Sequence, residues 1–297
     1  MMMRIPIPFL IQCSMIVVIA SDIHTNSRHL ATTLSCAEEH GAGAVVFNGD
    51  IVPKSIYHGK MDARHMVDLQ REYLAGPFLS DLGAFKGRHP TVTIYADLGN
   101  DDFWCNRDLL MQAEKEGILT LLHNRVQLLA PDTDIVGYMF VPPTPFGIKD
   151  TERIDRTDWP RARDVRLEGI FSVPNGLEKR SIDKKETIDH DLEELEKKIE
   201  RPFILATHAP PYGLGLDVLY DGRSVGSIAI RDFIERQADR GMLIAAFSGH
   251  IHESFRVSGT SVNEARGRWI VNAGQMEDRL RYVVFDTKSA DVRIKTI

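Results

Sequence analysis

Cysteine is scarce in this 297-residue chain: Cys13, Cys36 and Cys105 are all there is. An odd number at these spacings fits neither a disulfide framework nor a zinc-ligand pattern. Reduced thiols in a cytoplasmic protein are therefore expected. Excess positive charge is lacking as well. The chain has 36 Lys and Arg against 42 Asp and Glu, a net charge of -6. That argues against gripping nucleic acid through a broad basic surface, and leaves room for a local basic pocket that meets a phosphate. Long apolar runs are missing too. The N-terminal stretch from Ile5 to Ile11 is short and contains Pro6 and Pro8, which speaks against a membrane-spanning helix. A signal peptide is an option on composition, but Gln12 is too large for the position before a lipoprotein Cys13. Residues 1–14 are expected to be an N-terminal extension, with Met15 as a candidate natural start.

What is present is the composition of a globular enzyme: 43% hydrophobic and 26% charged residues, enough for one large core or two smaller ones. Met15–Ala20 is a β-branched apolar run that predicts a buried strand. A helix with Leu30, Thr33, Leu34 and Ala37 on one face follows, capped by Asn26 or Ser27. Ala44–Phe47 predicts a second strand. This is a βαβ unit, so the two strands should run parallel. Further strands are expected at Thr91–Ala96, Ile135–Val141, Phe203–Thr207, Met242–Phe247, Trp269–Asn272, Tyr282–Asp286 and Val292–Thr296, with a short one within Leu119–Leu129. Helices are expected at Asp62–Leu74, around Phe78–Phe85, and at Asn106–Glu116, Thr187–Glu200 and Ser227–Arg240. Residues 142–185, with five prolines and many charges, read as an irregular insertion over the site within a single domain, 15–297.

Ligand-type residues follow the strands: Asp22 and His24, Asp50, Asn100, His208, then His250 and His252. Each has an ordinary reading alone. An aspartate after a strand usually caps a turn, Asn after Gly usually sits in one, and a loop histidine is usually solvated. Their recurrence at one edge of a sheet is not explained that way, and the carboxyl edge is where open α/β folds place their sites. His250 and His252 are two residues apart, which on an extended backbone points both rings the same way. Two carboxylates, four imidazoles and an amide suit manganese, iron, zinc or nickel better than calcium. Seven donors exceed one tetrahedral ion and suit two divalent ions about 3.5–4 Å apart.

The pattern Asp22-x-His24, Gly49-Asp50, Gly99-Asn100-x-Asp102, His208, Gly249-His250-x-His252 resembles the calcineurin-like metallophosphoesterases, from about Met15 onward. The resemblance implies a four-layer α/β/β/α sandwich. It implies that Asp22, His24 and His252 hold one ion, that Asn100, His208 and His250 hold the other, and that Asp50 bridges them. It also implies hydrolysis of a small phosphate ester by a metal-bridging hydroxide, with neither nucleic acid nor membrane as partner. Many members carry His after the Asn of the third motif, a proposed proton donor to the leaving group. This chain has Asp101 there. Asp101 would donate a proton only if its pKa were raised, so the departure favours a leaving group that needs no strong acid, or protonation by another group. With the Val141–Gly147 stretch it points to the branch of predicted phosphoesterases related to the bacterial cyclic-nucleotide phosphodiesterase, hence to a phosphodiester of nucleotide-like size. Asn100, Asp101, Asp102 and His208 are the candidate catalytic residues. Asn26, Arg28, His58 and Tyr212 are candidate substrate contacts, with His29, Lys54, Arg107 and Arg223 as further anion contacts. Phe103 and Trp104 have the choice of a nucleobase or the core. The alternatives are a phosphomonoesterase of the same fold or a non-catalytic metal-binding scaffold.

Overall fold

The computed structural model describes residues 14–54, 62–158, 165–173, 176–275 and 279–297. The chain opens with β1 (Ile16–Ala20), α1 (Ser27–Glu39) and β2 (Ala44–Asn48). Asn26 caps α1 by accepting from the His29 amide, and Leu30, Thr33, Leu34 and Ala37 are buried beneath it. Helix α2 (Ala63–Tyr73) runs through a π-helical turn at Leu74–Phe78, which contains Pro77, into α3 (Leu79–Arg88). Then come β3 (Thr93–Asp97), α4 (Arg107–Lys115) and β4 (Thr120–Leu121). Strands β1 to β4 pair in parallel, as the βαβ reading requires.

The second sheet begins with the antiparallel pair β5 (Arg125–Ala130) and β6 (Thr133–Tyr138). The segment from 142 to 185, expected to be irregular, contains a two-stranded antiparallel ribbon, β7 (Glu168–Val173) and β8 (Gly176–Ser181). After α5 (Ile188–Glu196) come β9 (Phe203–Thr207), α6 (Ile228–Asp239), β10 (Leu243–Ser248), the short α7 (Ser254–Ser258), β11 (Val262–Ala265) and β12 (Arg268–Asn272). Strands β13 (Arg281–Asp286) and β14 (Val292–Thr296) return to the first sheet. The sheet orders are β14-β13-β1-β2-β3-β4 and β11-β12-β10-β9-β6-β5.

Three cores make four layers. Along β1, Val17 and Ile19 enter a core shared by both sheets, whereas Val18 and Ala20 pack under α1 and its neighbours. In β9, Ile204 and Ala206 join the shared core, while Phe203 and Leu205 meet α5 and α6. The period of two sends alternate side chains to opposite faces, and both faces are apolar because each sheet is covered on both sides. This is the expected α/β/β/α sandwich. Among the described residues no helix is long and apolar enough to cross a membrane.

Candidate metal centre

The parallel strands of both sheets end at one edge, and the motif residues lie just beyond them. Asp22 and His24 follow β1, Asp50 follows β2, Asn100 follows β3, His208 follows β9, and His250 and His252 follow β10. The loops are tightly turned. Of the eight non-glycine residues with positive φ among those described, Asp22, His24, Asp50 and His250 are four. Such conformations are costly for L-residues and concentrate where the surroundings force them. Two motif glycines are explained by close approach. A Cβ on Gly99 would run into the Asp50 carboxylate, and one on Gly249 into Ser21 and the Asp22 carboxylate.

Donor atoms of Asp22, His24 and His252 lie within 4.8 Å of one another, as do those of Asp50, His208 and His250, and those of His24, Asp50 and Asp101. His252 Nε2 is 3.1 Å from Asp22 Oδ1, and His208 Nε2 is 3.4 Å from Asp50 Oδ2 and 2.9 Å from Asn100 Oδ1. The rings of His24 and His252 have centroids 5.3 Å apart, those of His208 and His250 5.2 Å. The His250/His252 pair is thus divided between two clusters. An extended backbone does not arrange this: β10 ends at Ser248, and His250 turns at φ 67°.

The electrostatics are those of a cation site. Burial would raise the Asp22 pKa, but the nearby His252 outweighs it and holds the group at about 2. Asp50 is likewise shifted well below the usual carboxylate range, His208 outweighing burial. Burial opposes a charge on His208, yet Asp50 raises its pKa to about 10. Burial lowers His24 to about 4 and His250 to about 3. Both ring nitrogens of the buried His24 lack a hydrogen-bond partner among the described residues. Such a group is costly to bury unless something else satisfies it. His208 Nδ1 faces the Asn48 carbonyl oxygen at 2.9 Å, which aims Nε2 at Asp50 and Asn100. Metal-binding histidines are usually oriented in this way. The mixed oxygen and nitrogen donors therefore fit divalent ions.

Asp101 and Asp102 do different things. Asp102 is fully buried and accepts from the amides of Gly99 (2.7 Å), Ile51 (3.1 Å) and Val52 (3.2 Å), which pins the Asp50 loop to the Asn100 loop. Burial and the neighbouring Asp50 raise its pKa to about 7, against the pull of those amides. Asp101 is buried as well; burial, Asp50 and Asp102 push its carboxyl well above the usual range. Its amide donates to Asp50 Oδ1 at 2.9 Å, and its carbonyl accepts from Gln70 Nε2 at 2.8 Å. Gln70 also accepts from the Phe103 amide at 2.7 Å. Asn48 donates to the carbonyls of Thr207 (2.5 Å) and Phe247 (3.0 Å) and so joins the two sheets behind the centre. Sequence reasoning missed Asn48 and Gln70. The signal for Asn48 was an amide ending an apolar strand. Gln70, inside a helix pattern, gave none.

A pocket of about 570 Å³ opens over the cluster, with Asp50, Asn100, Asp101, His250 and His252 in its lining. Its other walls come from Pro142–Phe146 and from the loop before α6, and Lys54, Tyr212 and Arg223 border it. The Pro142–Phe146 wall is held from behind by buried Lys149, which donates to Thr144 O (2.8 Å) and Glu152 (2.6 Å). Glu152 in turn accepts from the Thr144 amide at 2.9 Å. Asn26 and Arg28 are not in the lining: Asn26 is used as a helix cap and Arg28 is exposed. His58 lies outside the described residues. Arg107 is committed to Asp97, with both contacts at 2.8 Å. Phe103 is buried with Met66 and Ile148, and Trp104 packs on His123 and Phe140, so both belong to packing.

A family model for calcineurin-like phosphoesterases matches residues 15–254, and the chain belongs to that family. It is a metal-dependent phosphoester hydrolase of a family that works with two metal ions. The fold is similar to that of a Thermus thermophilus protein (13% identity, TM-score 0.58, covering 95% of this chain and 99% of that one). It is also similar to a dimetal phosphatase from Danio rerio (11% identity, TM-score 0.53, 94% and 98% covered). A third solved structure aligns at a TM-score of 0.67 with 13% identity over 95% of this chain and 99% of that one. No curated protein sequence matches the chain.

Proposed function

We propose that the protein is a phosphodiesterase acting on a small, nucleotide-like ester with two divalent ions. Asp22, His24 and His252 hold one ion, Asn100, His208 and His250 hold the other, and Asp50 lies between them. The observation that carries this is the convergence of seven donors from five strand ends around His24, whose buried ring nitrogens make no hydrogen bond among the described residues. When bound, the ions supply Lewis-acid activation of the phosphoryl group and of the attacking water. The chain orients that chemistry. Asp102 and Gln70 fix the loops that carry Asp50 and Asn100, and Asn48 sets the His208 ring. The apolar wall at Pro142–Phe146 shields one side of the phosphoryl group from water. Lys54 and Arg223, the latter 2.7 Å from Asp221, border the pocket and supply positive charge for an anionic ester. Asp101, at the position where many relatives carry His, favours a diester over a monoester with a poor leaving group.

The test is a panel of activated and natural phosphodiesters, cyclic nucleotides and monoesters assayed with manganese, iron, zinc and nickel. Metal-dependent turnover of bis-p-nitrophenyl phosphate is expected. It should fall more than ~100-fold in Asp50→Asn and in His252→Ala, since even residues behind metal ligands matter 10- to 100-fold. Full activity in either variant, or after metal removal, would overturn the assignment. A higher kcat/KM for monoesters would move it to a phosphomonoesterase.

A further inference from the structure

Asp101 stands where the family pattern often has an imidazole, and its geometry sets it among the candidate ligands. Its main chain is fixed at both ends, the amide on Asp50 Oδ1 (2.9 Å) and the carbonyl on Gln70 Nε2 (2.8 Å), so little more than side-chain torsion is left to it. Its carboxylate is buried, and a carboxylate oxygen lies within the same 4.8 Å set as donor atoms of His24 and Asp50. Both His24 ring nitrogens lack a hydrogen-bond partner among the described residues, and Nε2 lies 3.8 Å from Asp50 Oδ2. Asp50 and Asp102 are both buried close by. Asp102 is satisfied by three amides and Asp101 Oδ1 lies 3.4 Å from Asn100 Nδ2, so a cation beside Asp50 would further offset the three buried carboxyl groups.

We propose that the Asp101 carboxylate is an additional ligand of the ion shared by His24 and Asp50. This rests on the two-ion reading above. An extra carboxylate raises the oxygen content and negative charge of that site. It should therefore shift metal preference from zinc toward manganese, iron(II) or magnesium. It also explains how the chain dispenses with the usual imidazole: the position serves the ion and not the leaving group. The competing role is that Asp101 only faces the ammonium of Lys54, which borders the same pocket.

Mn²⁺ binding to the metal-free full chain, measured by calorimetry and by electron paramagnetic resonance, separates the two. The unaltered protein should take up two ions. Asp101→Asn, nearly isosteric, and Asp101→Ala should weaken one of the two by at least ~10-fold. In Asp101→Ala the electron-spin-echo signal from exchangeable water deuterons at that ion should grow, because a water replaces the carboxylate. Unchanged affinities and water signals in both variants would overturn the proposal and leave Asp101 as a partner of Lys54. Failure of the unaltered protein to bind two ions, or binding unaffected by Asp50→Asn, would instead overturn the two-ion reading.

Discussion

His208 is a side chain whose charge state bears directly on the stability of the metal-free protein. Its pKa is raised to about 10 in the fold from an ordinary 6.5. The stabilisation this represents is fully present below 6.5 and is lost as pH rises toward 10. His24 and His250 are shifted the other way, to about 4 and about 3. They withdraw stability as pH falls below 6.5, where the unfolded chain takes up protons that the fold refuses. The metal-free protein should therefore lose stability as pH rises from 6.5 toward 10, which urea unfolding at several pH values checks; a flat profile from 6.5 to 9 would contradict the His208 environment. Metal binding at pH 7 must also displace the His208 proton. Calorimetry in buffers of different ionisation enthalpy should find net proton release on binding, and His208→Asn should reduce it. The seven donors were readable in the sequence because ligand residues kept appearing after apolar runs. The side chains that orient them were not, since Asn48 and Gln70 act through backbone partners far away in sequence.

Strands and helices with one clear apolar rhythm were recovered nearly in place. β9 matches its expected range, and α6 and β10 differ from theirs by a residue at either end. The ribbon was missed for a physical reason. In β8 the residues Glu178, Lys179, Arg180 and Ser181 are all exposed, so no alternation marks it as a strand, and Lys179 and Arg180 meet Glu168 and Phe171 of β7 only once the ribbon has formed. The buried Lys149–Glu152 pair in the same insertion was also hidden, because only the folded structure brings Thr144 onto it. Removing one partner from such a pair leaves an uncompensated buried charge. Lys149→Met should destabilise the protein by about 3–5 kcal/mol. The double variant Lys149→Met/Glu152→Leu should regain a good part of that. Denaturant unfolding reads the stability, and KM for the diester should rise in both variants as the Pro142–Phe146 wall loosens.

At the scale of the whole molecule, the expected sandwich is present with all its layers. Parallel pairing could be inferred from the βαβ unit, but the order of the two sheets could not. It depends on β13 and β14 coming back beside β1 after the second sheet is complete. The candidate ligands come from both sheets: Asp22, His24, Asp50 and Asn100 from one, His208, His250 and His252 from the other. Ions that bind the native state and not the unfolded chain stabilise by mass action. Saturation with Mn²⁺ at 100 times its dissociation constant should add about 2.7 kcal/mol for each independent site. Chelation should remove the gain, and a thermal unfolding series against metal concentration measures it.

Asn48 gives that arrangement a mechanical meaning. One amide from the first sheet grips the Thr207 carbonyl at the end of β9 and the Phe247 carbonyl near the end of β10 in the second, directly behind the cluster. The sandwich is thus laced at this edge before any ion arrives, and each ion adds a rivet through both plates. At the other end of the strands the Tyr95 hydroxyl donates to the Leu128 carbonyl at 2.6 Å, a single side-chain link with no cluster of candidate ligands beside it among the described residues. Pulled apart or exchanged into heavy water, the loaded protein should gape from the far end first and keep its catalytic rim shut longest.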